Sequence, residues 1–234
     1  MNKIKSISLM FPLYKDKSTV KIMITKSLNV LKKLKIKNEI IIIDDGCPQK
    51  SGNLAKEIAK KFTNIKVFFH KKNLGYGAAI KTGLKRCKHD WIFFTDGDDE
   101  HDVNNLFRLL KTRKDHDLVI TYRYKKKYST RRIIISWIYN KIVRLMFNIK
   151  FRDISNASRL VNRKLIQSIK LKSNSSFIGP ELVVHAQLAG CKIGEIGVIH
   201  FSSGRAGSTV TMKNILLTFK DMILLFVRTF AKRF

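Results

Sequence analysis

The first half of the chain switches repeatedly between two hydrophobic periods. Short apolar runs rich in β-branched residues occupy 4–11, 39–43, 65–69, 91–95 and 118–122, and each is read as a strand. Between them, apolar residues recur at helical spacing over 18–34, 51–62, from a turn at 73–77 through 85, and over 102–114. Strands of this kind between amphipathic helices predict βαβ units: an α/β fold with a mostly parallel sheet covered on both faces.

The second half has a different texture. Residues 123–132 are read as a basic loop carrying Arg123, Lys125, Lys126, Lys127, Arg131 and Arg132. Wound as a helix, 133–150 gathers Ile134, Ile135, Ile138, Tyr139, Ile142, Val143, Leu145, Met146 and Ile149 on one side. Ser136, Asn140, Lys141, Arg144 and Asn148 fall on the other. The C-terminal segment repeats the device, with Ile215, Leu216, Phe219, Met222, Ile223, Phe226, Val227 and Phe230 opposite Lys213, Lys220, Asp221, Arg228 and Lys232. The expected organisation is therefore one domain over 1–211, including the basic loop and first amphipathic helix, followed by an amphipathic helix over 212–234. Such helices can cap a sheet or lie at the headgroup boundary of an anionic bilayer, and the pattern leaves both open.

Composition narrows the partners. Of 234 residues, 44% are hydrophobic, enough to bury a core. Forty-seven Lys and Arg against 17 Asp and Glu leave a net charge of +30, which calls for anionic partners: nucleic acid, a membrane face or phosphorylated substrates. Cys47, Cys87 and Cys191 are odd in number and lack CxxC spacing, which argues against a disulfide scaffold or zinc finger and suits a reducing cytosol. The basic N-terminus lacks a signal-peptide cleavage site. The apolar stretch at 215–230 is broken by Lys220, Asp221 and Arg228, so no transmembrane helix is expected.

Candidate chemistry lies where strands end. Asp44-Asp45-Gly46, Asn73-Leu74-Gly75-Tyr76-Gly77 and the acidic run from Asp96 to Asp102 each follow a predicted strand. A parallel sheet opens the carboxyl ends of its strands onto one crevice, so these clusters are expected to share an edge. Asp96 and Asp98 can offer oxygens to Mg²⁺ or Mn²⁺, whose remaining ligands are commonly waters and substrate phosphates. The competing reading is a solvated turn, with Asp102 as a helix N-cap. An EF-hand is excluded, because His101 and Phe107 occupy the positions that need Gly and Glu. Gly75 and Gly77 permit close backbone approach at a helix start that suits phosphate. The dinucleotide fingerprint fails, since Ile80 stands at its third glycine.

In order along the chain, these motifs resemble glycosyltransferase family 2, and within it polyprenyl-phosphate glycosyltransferases of the dolichol-phosphate mannosyltransferase type. The resemblance spans about residues 8–208. It rests on Phe11-Pro12-Leu13-Tyr14, Ile43-Asp44-Asp45-Gly46, Asn73-x-Gly75-x-Gly77-Ala78-Ala79-Ile80-x-x-Gly83 and Asp96-Gly97-Asp98. It continues through Arg123-Tyr124, Asp153 with Arg159, Phe177-x-x-x-Glu181, Gly190-x-x-Ile193-x-Glu195 and Arg205-x-Gly207-Ser208. Cys47-Pro48-Gln49-Lys50 departs from the usual Ser-x-Asp-x-Thr, Ala157-Ser158 from Gly-Phe, and Glu100 from Gln.

The resemblance implies a GT-A fold and inverting transfer from a nucleotide-diphosphate sugar to a polyprenyl phosphate or a glycan. It implies Pro12, Tyr14, Asp44, Asp45, Gly75, Asp96 and Gly97 around the donor, and Asp96, Asp98 and Glu100 on Mg²⁺ or Mn²⁺. Arg123, Arg131, Arg159, Arg205 and Ser208 would meet phosphates or acceptor, and Asp98, Glu100, Glu181 and Arg205 would carry the catalysis. The resemblance also implies C-terminal transmembrane helices, which are not expected in this sequence, so the tail helix is expected to anchor a cytoplasmic enzyme on the inner membrane face. A lipid-phosphate acceptor is already anionic, whereas a sugar hydroxyl needs a base such as Glu100 or Glu181. His200 is expected to be structural. Specific nucleic-acid binding is the rival class, but no RNP, KH, zinc-finger or helix-turn-helix pattern supports it.

Overall fold

The computed structural model describes residues 4–125, 130–199 and 211–230, with backbone only at 125, 131 and 132. In chain order the elements are β1 (Ser6–Leu13), α1 (Val20–Leu34), β2 (Lys37–Asp44), α2 (Ser51–Ala59), β3 (Ile65–Phe69), α3 (Tyr76–Arg86), β4 (Trp91–Phe94) and α4 (Asn105–Thr112). There follow β5 (Leu118–Lys125), α5 (Thr130–Phe147), β6 (Arg159–Asn162), α6 (Arg163–Ser168), α7 (Ile178–Leu188), β7 (Ile193–Ile199) and α8 (Met212–Phe230).

One sheet runs β3-β2-β1-β4-β6-β5-β7. β1, β2, β3 and β4 are mutually parallel, β6 is antiparallel to both β4 and β5, and β7 closes the edge parallel to β5. The strands are buried on both faces, and their alternation divides two cores. Leu9, Phe11, Ile40, Ile42 and Phe93 pack against α1, α2 and α4. Met10, Ile41, Ile43, Ile92 and Phe94 pack against α3, α5, α7 and α8. This is a three-layer α/β/α arrangement in which the first four strands point their carboxyl ends at one edge.

Two boundaries and one side chain differ from the sequence reading. The basic segment is not a loop throughout: β5 continues to Lys125 because its edge pairs with β7 through Arg123↔Val198, and α5 begins at Thr130. Arg123 is therefore a strand residue, and Arg131 and Arg132 are helical. The helix expected over 102–114 is α4 alone, followed by a 3-10 turn at Arg113–Asp115. Its N-cap position is Asn104, and Asp102 instead closes the preceding turn by accepting the Asn104 amide at 2.9 Å. Finally, Asn140 leaves the polar side of its helix. It is buried, accepting the Ile154 amide at 3.0 Å, because that buried turn offers a donor that water cannot reach.

The C-terminal helix packs on the body of the fold. Met222 and Leu225 enter the core, and Phe226 meets Phe147 of α5 edge-on at 6.0 Å. Both amphipathic helices nevertheless keep large apolar side chains in solvent: Trp137 and Leu145 on α5 are 60% and 74% exposed, and Leu216 on α8 is 65% exposed. Among the described residues, no helix is long and apolar enough to cross a membrane.

Candidate active site

The loops after β1, β2 and β4 and the start of α3 form a closed ring of contacts. After β1, the Tyr14 amide donates to Asp16 Oδ2 at 2.8 Å, and the Lys15 amide reaches Cys47 Sγ in the β2 loop at 3.1 Å. After β2, Asp44 accepts the Cys47 and Gly52 amides at 2.7 and 2.6 Å, shaping the turn into α2. Asp45 faces the other way: Oδ1 accepts the Leu74 amide and Oδ2 the Gly75 amide, both at 2.9 Å. His70 Nδ1 lies 2.7 Å from Asp45 Oδ1, and its Nε2 meets Thr82 Oγ1. One residue beyond Gly75, the Tyr76 hydroxyl lies within electrostatic range of Asp96 at the end of β4. Gly97 closes the ring, since a Cβ there would stand 2.5 Å from the Pro12 carbonyl.

The three clusters thus share one edge, as the parallel sheet requires. Asp44 and Asp45 do so as braces: both are buried, and their oxygens hold backbone amides.

Electrostatics concentrate at Asp96. Burial, with Glu100 and Asp16 nearby, raises its carboxyl to about 6, although the Tyr76 hydroxyl and Arg123 pull the other way. Among the described residues, its Oδ1 is buried without a hydrogen-bond partner. Asp98 Oδ1 accepts the Glu100 amide at 3.1 Å. Asp99, at φ +63°, turns away and pairs with Lys26 Nζ at 2.7 Å.

Several expected site residues are placed elsewhere. Among the described residues, no three His, Cys, Asp or Glu side chains converge to hold a metal, so the set Asp96, Asp98 and Glu100 is not assembled as three ligands. Asp99 sits at φ +63° in this turn, and Asp98 accepts the Glu100 amide. Arg159 is not positioned for a phosphate: it is 1% exposed, and its guanidinium donates to the carbonyls of Ile154, Asn156 and Gly179. Burial lowers it to about 10. The arginine reaches inward because these turns bury carbonyls that need donors.

Glu181, also 1% exposed, accepts the Lys172 and Ser173 amides at 2.9 and 2.8 Å. Burial pushes its carboxyl up, but His185 and those two amides outweigh it and leave it below the ordinary range. Its place is inside a loop brace. Arg123 pairs through Nε with Asp153 at 2.8 Å and lies within electrostatic range of Asp96. Arg131 is in the first turn of α5. Arg205, Ser208 and His200 lie outside the described residues.

Sequence reasoning passed over Tyr76, His70 and Asp16. Tyr76 could have been noticed as the residue framed by the two glycines, and Asp16 as the acid just beyond Pro12-Leu13-Tyr14. His70 carries no motif, and only the folded sheet brings it to Asp45.

The sheet order and the ring of loops at its carboxyl edge define a GT-A enzyme fold. The chain belongs to glycosyl transferase family 2, whose sequence profile matches residues 8–170. An undecaprenyl-phosphate 4-deoxy-4-formamido-L-arabinose transferase of Photorhabdus laumondii is 26% identical over 178 residues, 75% of this chain and 55% of its own length. A Pseudomonas fluorescens protein of the same name is 24% identical, with 52% of its length covered, so the chain spans about half the length of these curated relatives. An uncharacterized protein of Methanocaldococcus jannaschii is 29% identical over 212 residues, 84% of this chain and 91% of its own.

Among solved structures, glucosyl-3-phosphoglycerate synthase from Mycobacterium tuberculosis, in complex with Mn²⁺, UDP and phosphoglyceric acid, superposes with a TM-score of 0.72 at 14% identity. The match covers 96% of this chain and 78% of that one. Mannosyl-3-phosphoglycerate synthase from Rubrobacter xylanophilus gives 0.72 at 11% identity, covering 98% and 75%. At such identities the likeness is one of fold.

Proposed function

We propose that this protein is a glycosyltransferase that moves a sugar from a nucleoside-diphosphate donor to a polyprenyl phosphate, with inversion, at the inner, anionic face of a membrane. The observation that carries the reading is the buried, unpartnered Oδ1 of Asp96 at the point where the β1, β2 and β4 loops and the start of α3 meet. A carboxylate in that state, crowded by Glu100 and Asp16, fits a cation-binding group. Asp96 and Asp98 would hold Mg²⁺ or Mn²⁺ as a pair, a ligand count that suits a cation completed by waters and donor phosphates. When bound, the cation supplies charge neutralisation for the departing nucleoside diphosphate.

The chain's own groups do the rest. Pro12 and Tyr14 flank the base and ribose, on loops fixed by Asp44 and Asp45. Gly75, at φ +98°, lets the start of α3 lie against the Asn174 carbonyl beside the proposed donor site, and Gly97 keeps the metal loop against Pro12. Arg123 supplies positive charge near Asp96, and Arg131, Arg205 and Ser208 are proposed to meet the acceptor phosphate.

Glu181, one of the two candidate bases with Glu100, supports the lipid-phosphate reading. A sugar hydroxyl needs a base, and both Glu181 oxygens are engaged by loop amides. A phosphate oxygen is anionic at neutral pH and needs positioning alone, which favours the lipid phosphate. The names of the Photorhabdus and Pseudomonas relatives point the same way. Exposed Trp137, Leu145 and Leu216, beside the basic edges of α5 and α8, suit a membrane surface. Each Lys or Arg near an anionic headgroup contributes about 1 kcal/mol, so a few suffice for reversible attachment.

The test is a thermal-shift screen of UDP and GDP with and without Mn²⁺, followed by radiolabelled nucleotide sugars with undecaprenyl phosphate. Metal-dependent stabilisation and label in the lipid phase are expected. Label excluded from the lipid with every common donor would sink the acceptor assignment.

A further inference from the structure

The segment 172–176 is gripped by side chains from three helices. Two carboxylates divide its backbone amides between them. Glu181 of α7 accepts those of Lys172 and Ser173, and Asp221 Oδ2 of α8 accepts those of Asn174 and Ser175, each at 3.1 Å. Asp221 also accepts the Ser175 hydroxyl at 2.7 Å, and Ser176 Oγ meets Thr218 of the same helix at 3.0 Å. Lys81 of α3 donates to the Lys172 carbonyl at 2.8 Å and to Asn174 Oδ1 at 2.7 Å.

The other side of this segment is pressed against the donor end of the crevice. The Asn174 carbonyl accepts the Gly77 amide at 2.8 Å. A Cβ on Gly75 would stand 2.6 Å from the Asn174 carbonyl, and one on Gly77 2.6 Å from those of Ser173 and Ser175. No side chain fits between, so the backbone of 173–175 sets where the start of α3 lies. The adjoining Tyr76 hydroxyl lies within electrostatic range of Asp96.

We propose that Asp221 is a positioning residue for the donor site, acting through the 172–176 segment on Gly75, Tyr76 and Gly77. The inference rests on the donor reading above, which places the nucleotide beside these glycines. It concerns a part of the chain beyond the stretch matched by the family profile, which ends at residue 170. The amphipathic helix therefore does more than cover the sheet: its one acidic side chain fixes the loop that fixes the glycines.

The test compares wild type with Asp221→Asn and with the milder Ser175→Ala. Two readouts are used on the full chain: backbone hydrogen exchange, and affinity for UDP and GDP in Mn²⁺. Asp221→Asn keeps the shape but removes the charge that strengthens three hydrogen bonds. Exchange at the Gly77 amide is expected to accelerate by about tenfold, and nucleotide affinity to fall by about three- to tenfold. In turnover, KM for the donor should rise while kcat stays level, and Asp221→Glu should restore part of the affinity. A merely structural helix cap would lower thermal stability and leave Gly77 exchange and nucleotide affinity unchanged below the transition, and that result overturns the proposal. Should Asp221→Asn not fold, Ser175→Ala decides on the same two readouts. If wild type binds neither nucleotide, the donor reading fails by itself, and Gly77 exchange still shows whether Asp221 positions the segment.

Discussion

The Gly75 amide donates to Asp45 Oδ2 at 2.9 Å, joining two residues that lie 30 positions apart in the sequence. This bond ties the loop after β2 to the start of α3, where the Tyr76 hydroxyl lies within electrostatic range of Asp96. A carboxylate in a motif that reads as ligand-binding is here a brace between two loops at the sheet's carboxyl edge. Charged acceptors bind amides about twice as strongly as neutral ones, which is why an aspartate serves as the brace.

Asp45→Asn is expected to destabilise the fold by about 1–3 kcal/mol, because an amide side chain cannot accept the Leu74 and Gly75 amides together with His70. Urea denaturation measures this as a lower midpoint with an unchanged slope. Loss of nucleotide affinity should accompany it; an unaltered midpoint would show that the brace carries little energy.

Gly77→Ala gives a prediction whose sign is informative. Gly77 lies within α3, where helix propensity alone favours alanine by roughly 1 kcal/mol. The new Cβ would meet two backbone carbonyls at 2.6 Å, and backbone cannot move aside cheaply. Net destabilisation of about 1–3 kcal/mol is therefore expected in thermal unfolding. A stabilised variant would show that the 172–176 segment yields.

Glu181 contributes a pH dependence. Its folded carboxyl titrates below the ordinary value of 4.5, so the stability it adds is present above that value and is lost as pH falls through the lower, folded one. Glu181→Gln should cost about 1–3 kcal/mol at neutral pH. Denaturation curves collected from pH 7 downward should show wild type and variant converging below pH 4.5. Parallel curves at all pH values would show that the ionised form is not what braces the loop.

Arg159→Leu removes the donor for three buried carbonyls and should cost about 3–5 kcal/mol, measured by chemical denaturation. Arg159→Lys offers one ammonium in place of a forked guanidinium and should recover only part of that. A leucine variant as stable as wild type would return Arg159 to the candidates for ligand contact.

The layers of the fold were legible because period-2 and period-3.6 patterns are local. Ile40 to Ile43, continuously apolar, announced a strand buried on both faces, and residue pairs such as Ile41 and Ile42 do part to opposite cores. β6 escaped notice because four residues, Arg159–Asn162, are too few to carry a period, and only its antiparallel pairing with β4 and β5 makes it a strand. The candidate site was legible as an edge: strand-end motifs in a parallel sheet must converge. Roles within that edge were not, since a carboxylate or guanidinium reads the same in sequence whether it meets a ligand or a backbone amide.

Sequence by itself determined the three-layer architecture, the strand-end placement of Asp44, Gly75 and Asp96, and the excess of positive charge, because each depends on chemistry within a few residues. Tertiary structure decided that Asp44, Asp45 and Glu181 hold loops, that Arg159 faces inward, and that Asp221 reaches the 172–176 segment from 46 or 47 positions away. Those assignments depend on which buried backbone groups lack partners, a demand that arises only once the chain has closed around them.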